Sequence, residues 1–241
     1  MGYIDIHSHV IPGADDGART KEQSLRMLSI AAQNGIDRMI LTPHNKAGHR
    51  NISPAGIRKS VEQLQFLVDA ERIPIKLYPG CEIFFREGVG EMLEENQLCS
   101  LADGPYVLVE FMPAVEFSYI RSAVYELGGS GFIPIIAHVE RYECLIKDIS
   151  NAGYLLDRGA YLQMNAGCLE GGLSELRMKK AVKRMLKEQM IHFVATDAQN
   201  DTSRAPRMAE CAAYLRKKCG HEYAARLLWK NAWAVLDGEQ L

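Results

Sequence analysis

Seven short apolar runs, separated by stretches of helical periodicity, constrain this 241-residue chain more than any other feature. The runs are YIDIH (3–7), RMILT (38–42), IKLYP (75–79), YVLVEF (106–111), FIPIIAH (132–138), AYLQMN (160–165) and HFVATD (192–197). They are rich in β-branched and aromatic residues, as expected of strands covered on both faces. After the first run, Thr20 and Gln23 predict a capping box, Leu25, Leu28, Ala31 and Ala32 a buried face, and Gly35 the helix end. Ser53-Pro54 opens the next helix, with Ile57, Val61, Leu64, Leu67 and Val68 as its stripe. Such alternation, with no linker or low-complexity tract, predicts a parallel α/β fold in one domain, residues 1–241.

The polar residues at the ends of these runs favour a barrel over an open sheet. His7 and His9 follow the first run, His44 the second (LTPHN) and Glu82 the third (PGCEI). Glu110, His138 and Asp197 end the fourth, fifth and seventh. In a parallel barrel those ends meet at one mouth, where such folds carry their chemistry. His7 and His9, two apart on a strand, point to the same side. Taken singly, each residue is more often a hydrogen-bonded core or surface group; six strand ends together predict a metal site. Counting Asp16 from the DDG turn, four histidines and four carboxylates are too many for one ion, so two or three are expected. Mixed imidazole and carboxylate ligands suit manganese, iron or zinc rather than a thiolate site. Three divalent ions would outweigh the four carboxylates and draw in a phosphate dianion. His49, His192 and His221 lie in a loop, at a strand start and near a helix start, and are read as structural.

The charge balance excludes several partners. A formal net charge of -2 provides no field for nucleic acid or an anionic membrane. No apolar stretch approaches the ~20 residues that span a bilayer, and no basic-then-apolar leader is read at Met1. The six cysteines are scattered without a C-x-x-C pair, which suits reduced thiols and a cytoplasmic location. None of them has an arginine six positions on, so cysteine chemistry of the C-x5-R kind is excluded. Attack by metal-activated hydroxide is the better expectation.

DIHSHVIPGADDGA, LTPHN, PGCEI, VEF, IAHVERY and TDAQN, in this order, resemble the PHP superfamily of metal-dependent phosphoesterases. Within it the chain is most similar to the manganese-dependent protein-tyrosine phosphatases of bacterial capsule and exopolysaccharide operons, from Asp5 to the Asn231 region. The resemblance implies a distorted, TIM-like (β/α)7 barrel holding up to three Mn2+ ions, with Fe or Zn as alternatives. One ion would take His7, His9, Glu82 and Asp197. A second would share Glu82 and add Glu110 and His138. A third would use Asp16, His44 and the second histidine of the family's S-D-x-H-N, where this chain reads TDAQN with Gln199. A neutral amide oxygen binds such ions more weakly than imidazole, so two ions are expected to be firm and the third labile. Arg141 and Arg204 match positions that hold phosphate. The implied substrate is the phosphotyrosine tail of a partner bacterial kinase.

Asp15 is read as a turn residue of the DDG loop. Aromatics around Phe84-Phe85-Arg86 and Phe111–Tyr119 either rim the mouth, where they stack on a tyrosyl ring, or serve as packing. Three alternatives stay open: a PHP enzyme for a small monoester such as histidinol phosphate, a kinase-binding module with a decayed metal site, and, least favoured, a nuclease. The oligomeric state is unknown from the sequence.

Overall fold

The strands of the protein, described from a computed structural model covering residues 2–169 and 176–241, run parallel to their neighbours throughout. Met1 and residues 170–175 of the expected 1–241 domain lie outside the described residues. The strands are β1 (Tyr3–Asp5), β2 (Ile36–Leu41), β3 (His44–Asn45), β4 (Lys76–Pro79), β5 (Glu82–Phe84), β6 (Tyr106–Glu110), β7 (Ile133–Ile136), β8 (Tyr161–Asn165) and β9 (Phe193–Ala195). The second and third apolar runs thus continue past a break into short extra strands. Pro43, which has no N–H to donate, separates β2 from β3, and Gly80-Cys81 separates β4 from β5. One sheet has the order β1-β2-β4 and the other β3-β5-β6-β7-β8-β9.

The sheet curls until its first and last strands meet. The Asp197 N–H donates to the His7 carbonyl (2.9 Å) and the His9 N–H to the Ala198 carbonyl (2.8 Å). Asp5, fully buried, completes the seam by accepting from the N–H groups of His7 (3.2 Å) and Thr196 (3.0 Å) and from the Thr196 hydroxyl (2.5 Å). Burial pushes its pKa up to about 6 against the pull of these donors. Successive side chains along each strand divide between two cores. Ile4, Ile40, Leu108, Ile135 and Phe193 fill the inside of the curl with Ala232 and Val235. Met39, Leu41, Val107, Val109, Ile136 and Val194 face the helices outside.

Helix α1 (Lys21–Gln33) starts where expected, with the Gln23 N–H donating to Thr20 Oγ1 at 3.2 Å. The return bond of the box is displaced: Gln23 Oε1 accepts from the Arg19 N–H instead (2.9 Å). Its buried face is Ser24, Met27, Leu28 and Ala31, leaving Leu25 and Ala32 half-buried. Helix α2 (Pro54–Ala70) is capped by Ser53 and buries Ile57, Val61, Leu64 and Val68. Further helices are α3 (Val89–Glu94), α4 (Phe117–Gly129), α5 (Glu143–Lys147), α6 (Ser150–Leu156), α7 (Leu176–Lys187), α8 (Ala209–Cys219), α9 (His221–Ala225) and α10 (Asn231–Asp237).

Candidate metal centre

The curl brings the C-terminal ends of the strands to one place, and the named side chains converge there. Register does part of this: β3 pairs His44 with Glu82 of β5, and β5 pairs Phe84 with Glu110 of β6. Backbone conformation does the rest. His138 and Asp197, just past β7 and β9, adopt the left-handed region at φ +31° and +50°. For non-glycine residues that costs about 1–3 kcal/mol each, the kind of strain that collects at functional sites. The DDG turn also needs its glycine, since a Cβ on Gly17 would lie 2.2 Å from the His9 carbonyl oxygen.

Glu82 is the hub. Its Oε2 lies 3.1 Å from His7 Nε2, 3.3 Å from His9 Nε2 and 3.0 Å from His44 Nδ1, while Oε1 lies 2.8 Å from His138 Nε2. Asp197 Oδ1 stands 3.3 Å from His9 Nε2 and 3.7 Å from His7 Nε2. Glu110 reaches His44 Nδ1 at 3.0 Å and His138 Nε2 at 3.7 Å. His44 therefore sits with the Glu82–Glu110 pair as well as with Asp16, whose Oδ1 is 3.6 Å from its Nε2. His44 thus stands near carboxylates that the resemblance assigns to different ions.

Three of the four histidines have the nitrogen facing away from the centre engaged. Gln163 Oε1 lies 3.2 Å from His7 Nδ1 and accepts from the His138 N–H at 2.8 Å. Asp15 Oδ2 lies 2.7 Å from His9 Nδ1 and accepts from the His44 N–H at 2.9 Å. The Tyr142 hydroxyl is 3.3 Å from His138 Nδ1. A proton on each Nδ1 satisfies these acceptors and leaves each Nε2 lone pair turned to the centre, the tautomer a metal requires. Asp15 is thus more than the turn residue expected; it orients two histidines. Gln163 and Tyr142 were not singled out in the sequence, although a glutamine inside the apolar run AYLQMN was the available signal. Gln163 also donates to Asn165 Oδ1 (2.9 Å), and Asn165 Nδ2 donates to Asp197 Oδ2 (2.8 Å), so one buried network reaches from His7 to Asp197.

The centre's electrostatics follow from burying acids among imidazoles. Burial alone would raise the pKa of Glu82 and Asp197, but the neighbouring histidines hold both well below the carboxylate range. Burial would lower His44 and His9, yet Glu110 and Glu82 push His44 up to about 10, and Asp15, Asp197 and Glu82 raise His9. The donor set fits divalent ions. His44 Nδ1 and Glu82 Oε2 are buried and 3.0 Å apart, yet neither finds a hydrogen bond. The Nε2 atoms of His7 and His9 face each other at 3.3 Å. Ligand–metal bonds of roughly 2.0–2.2 Å at tetrahedral or octahedral angles place neighbouring donors about 3.0–3.5 Å apart, which matches these spacings.

A cavity of about 630 Å³ opens onto this cluster, lined in part by Asp16, His44, Phe84, Phe111, Gln199 and Arg204. Gln199 shares the cavity with Asp16 and His44, while its N–H donates to the Arg204 carbonyl (2.9 Å). Arg141 and Arg204 both pair with Asp197 Oδ2, the latter at 2.7 Å. The aromatics divide: Phe84 lines the cavity with Lys46 Nζ 4.7 Å above its ring, whereas Phe85 packs against Phe111 and Tyr119. His49, read as structural, also lines this cavity; His192 is half-buried against Tyr161.

The chain is similar to several known proteins along nearly its whole length. The chain is 34% identical to the tyrosine-protein phosphatase YwqE of Bacillus subtilis over 238 residues, covering 99% of this chain and 93% of that protein. It is 28% identical to the tyrosine-protein phosphatase CpsB of Streptococcus pneumoniae, covering 97% and 98%. A crystal structure of YwqE, described with CpsB as metal-dependent tyrosine phosphatases, superposes with a TM-score of 0.91 over 99% of this chain and 96% of that one. Residues 3–237 match the family described as capsular polysaccharide synthesis, CpsB/CapC, and the chain belongs to that family.

Proposed function

We propose that this chain is a metal-dependent protein-tyrosine phosphatase, a phosphoric monoester hydrolase acting on the phosphotyrosine tail of a tyrosine kinase of capsule or exopolysaccharide synthesis. One observation carries the reading: four imidazoles and the carboxylates of Glu110 and Asp197 crowd around Glu82, beside two arginines that meet on Asp197. His7, His9, Glu82 and Asp197 would hold one ion and Glu82, Glu110 and His138 a second. Asp16, His44 and Gln199 would hold a third, more weakly. When bound, the ions, Mn2+ by preference, supply Lewis-acid stabilisation of phosphoryl charge and lower the pKa of water.

The chain's own groups bind and orient. Arg141 and Arg204 present guanidinium forks that match a phosphate's oxygens. Asn165 and the arginines hold Asp197 in one orientation, and Asp15, Gln163 and Tyr142 hold the imidazoles. In hydrolysis a water oxygen joins phosphorus as the bond to the tyrosyl oxygen breaks. The leaving phenolate, with a conjugate pKa of about 10, needs less protonation than an alkoxide would. The fold we infer for it is a seven-ribbon (β/α) barrel in one cytoplasmic domain; among the described residues no helix is long and apolar enough to cross a membrane.

The test is phosphate release from a phosphotyrosyl peptide by chelator-stripped protein, before and after manganese is restored. Metal-dependent release is expected. Absence of release from folded, metal-loaded protein overturns the reading. Arg141→Ala should lower kcat by on the order of 100-fold, as for loss of a transition-state donor.

A further inference from the structure

A second and larger cavity, about 950 Å³, lies beside the centre, and Arg141 and Arg204 line both. Its other cationic side chains are Lys147 on α5, Arg177 on α7 and Arg207. Among the described residues, two acidic side chains line it. Glu143 pairs with Lys147 at 2.5 Å, and buried Glu140 turns inward to accept from the Asn165 N–H at 3.2 Å. Half-buried Ile146 and Met178 add apolar surface. In a chain with a net charge of -2, five cations around one cavity are a local concentration, not a general surplus.

We propose that this cavity is a substrate exosite that takes the acidic side chains flanking the scissile phosphotyrosine, with the apolar floor contacting the intervening peptide. The proposal rests on the phosphatase reading and names what surrounds the phosphotyrosine in a preferred substrate. Its reasoning is electrostatic and geometric. A peptide whose phosphate lies at the Arg141–Arg204 pair continues directly into the cavity those arginines also line. There it meets Lys147, Arg177 and Arg207, none of which pairs with Asp197. A groove with a surplus of one sign beside a low-dielectric wall attracts the opposite charge and raises encounter rates, an effect that salt screens. A pocket this small, on a chain without net positive charge, fits an acidic peptide segment rather than a nucleic-acid backbone.

The experiment uses the metal-loaded full chain and a variant carrying Lys147→Gln, Arg177→Gln and Arg207→Gln. Three substrates are compared: p-nitrophenyl phosphate and two phosphotyrosyl peptides of equal length, one flanked by Asp and Glu, the other by Asn and Gln. The wild type should prefer the acidic peptide through KM. The triple variant should lose about 10-fold in kcat/KM on that peptide, from a few-fold per exposed pair. Its kcat and its activity on p-nitrophenyl phosphate should hold, and 0.5 M salt should erase the wild-type preference. Equal rates on the two peptides, or a preference that survives in the variant, would overturn the exosite while leaving the phosphatase intact. Should no substrate be hydrolysed, the phosphatase reading fails, and fluorescence anisotropy of the unphosphorylated acidic peptide still decides the exosite. Binding weakened by the three substitutions supports it, and binding unchanged by them, or none, rejects it.

Discussion

Replacing Gln163 by methionine separates the orienting role of the buried network from simple packing. The side chains are similar in length and both unbranched, so the volume at this fully buried position stays filled. What is lost is polar. The His138 N–H loses its acceptor at 2.8 Å, His7 Nδ1 its partner at 3.2 Å, and Asn165 Oδ1 its donor at 2.9 Å. A buried group left unpaired costs about 1–3 kcal/mol, and burying a thioether in place of an amide recovers part of this. The net loss should be about 2–3 kcal/mol, a fall in Tm of roughly 5–10 °C for a chain of this size. Because His7 and Asp197 lose their common tether, Mn2+ affinity should also fall about 10–100-fold. Thermal unfolding of the chelator-treated protein measures the first effect, and competition with a chelating dye measures the second. Mn2+ affinity within twofold of the wild type, alongside a lowered Tm, would refute the orienting role and leave Gln163 as a core residue.

Three further outcomes are expected. Asp15→Ala should weaken Mn2+ binding about 10–100-fold by releasing His9, and unchanged binding in the same dye competition would return Asp15 to a turn role. Gln199→His should raise the manganese retained after exhaustive dialysis from two ions per chain to three, read by elemental analysis; three ions already firm in the wild type would contradict the labile third site. His192 supplies a pH test, since burial lowers its pKa from 6.5 to about 4. The unfolded chain then binds the extra proton between those values, so stability is complete above pH 6.5 and falls as pH drops towards 4, by at most about 3 kcal/mol. His192→Leu should lose less stability than the wild type between pH 7 and 5 in urea unfolding; equal losses would show that His192 is not the group responsible.

How much of this protein was legible in its sequence differs between fold and site. Apolar runs and helix caps are local signals, and each of the seven runs became a strand because residues of that type pack on both faces of a buried sheet. The breaks at Pro43 and Gly80-Cys81 were less visible, since the chain keeps its direction across them. Residue chemistry named the acids and imidazoles at the strand ends. It did not say which ring nitrogen of His7, His9 or His138 faces inward, nor that His44 stands between two groups of carboxylates. Those depend on the curl of the sheet and on positive φ at His138 and Asp197, which no pattern of neighbours encodes.

The sequence by itself determined the parallel α/β order and the inventory of groups able to bind an ion, because both follow from properties each residue carries alone. Tertiary structure decided that Gln163, 156 positions from His7, meets that histidine's Nδ1 and links it to Asp197 through Asn165. It also decided that Arg141 and Arg204 form the wall between two cavities. Directional hydrogen bonds exist only once distant strands are in register, and burial makes them matter by removing the water that would otherwise substitute for each partner.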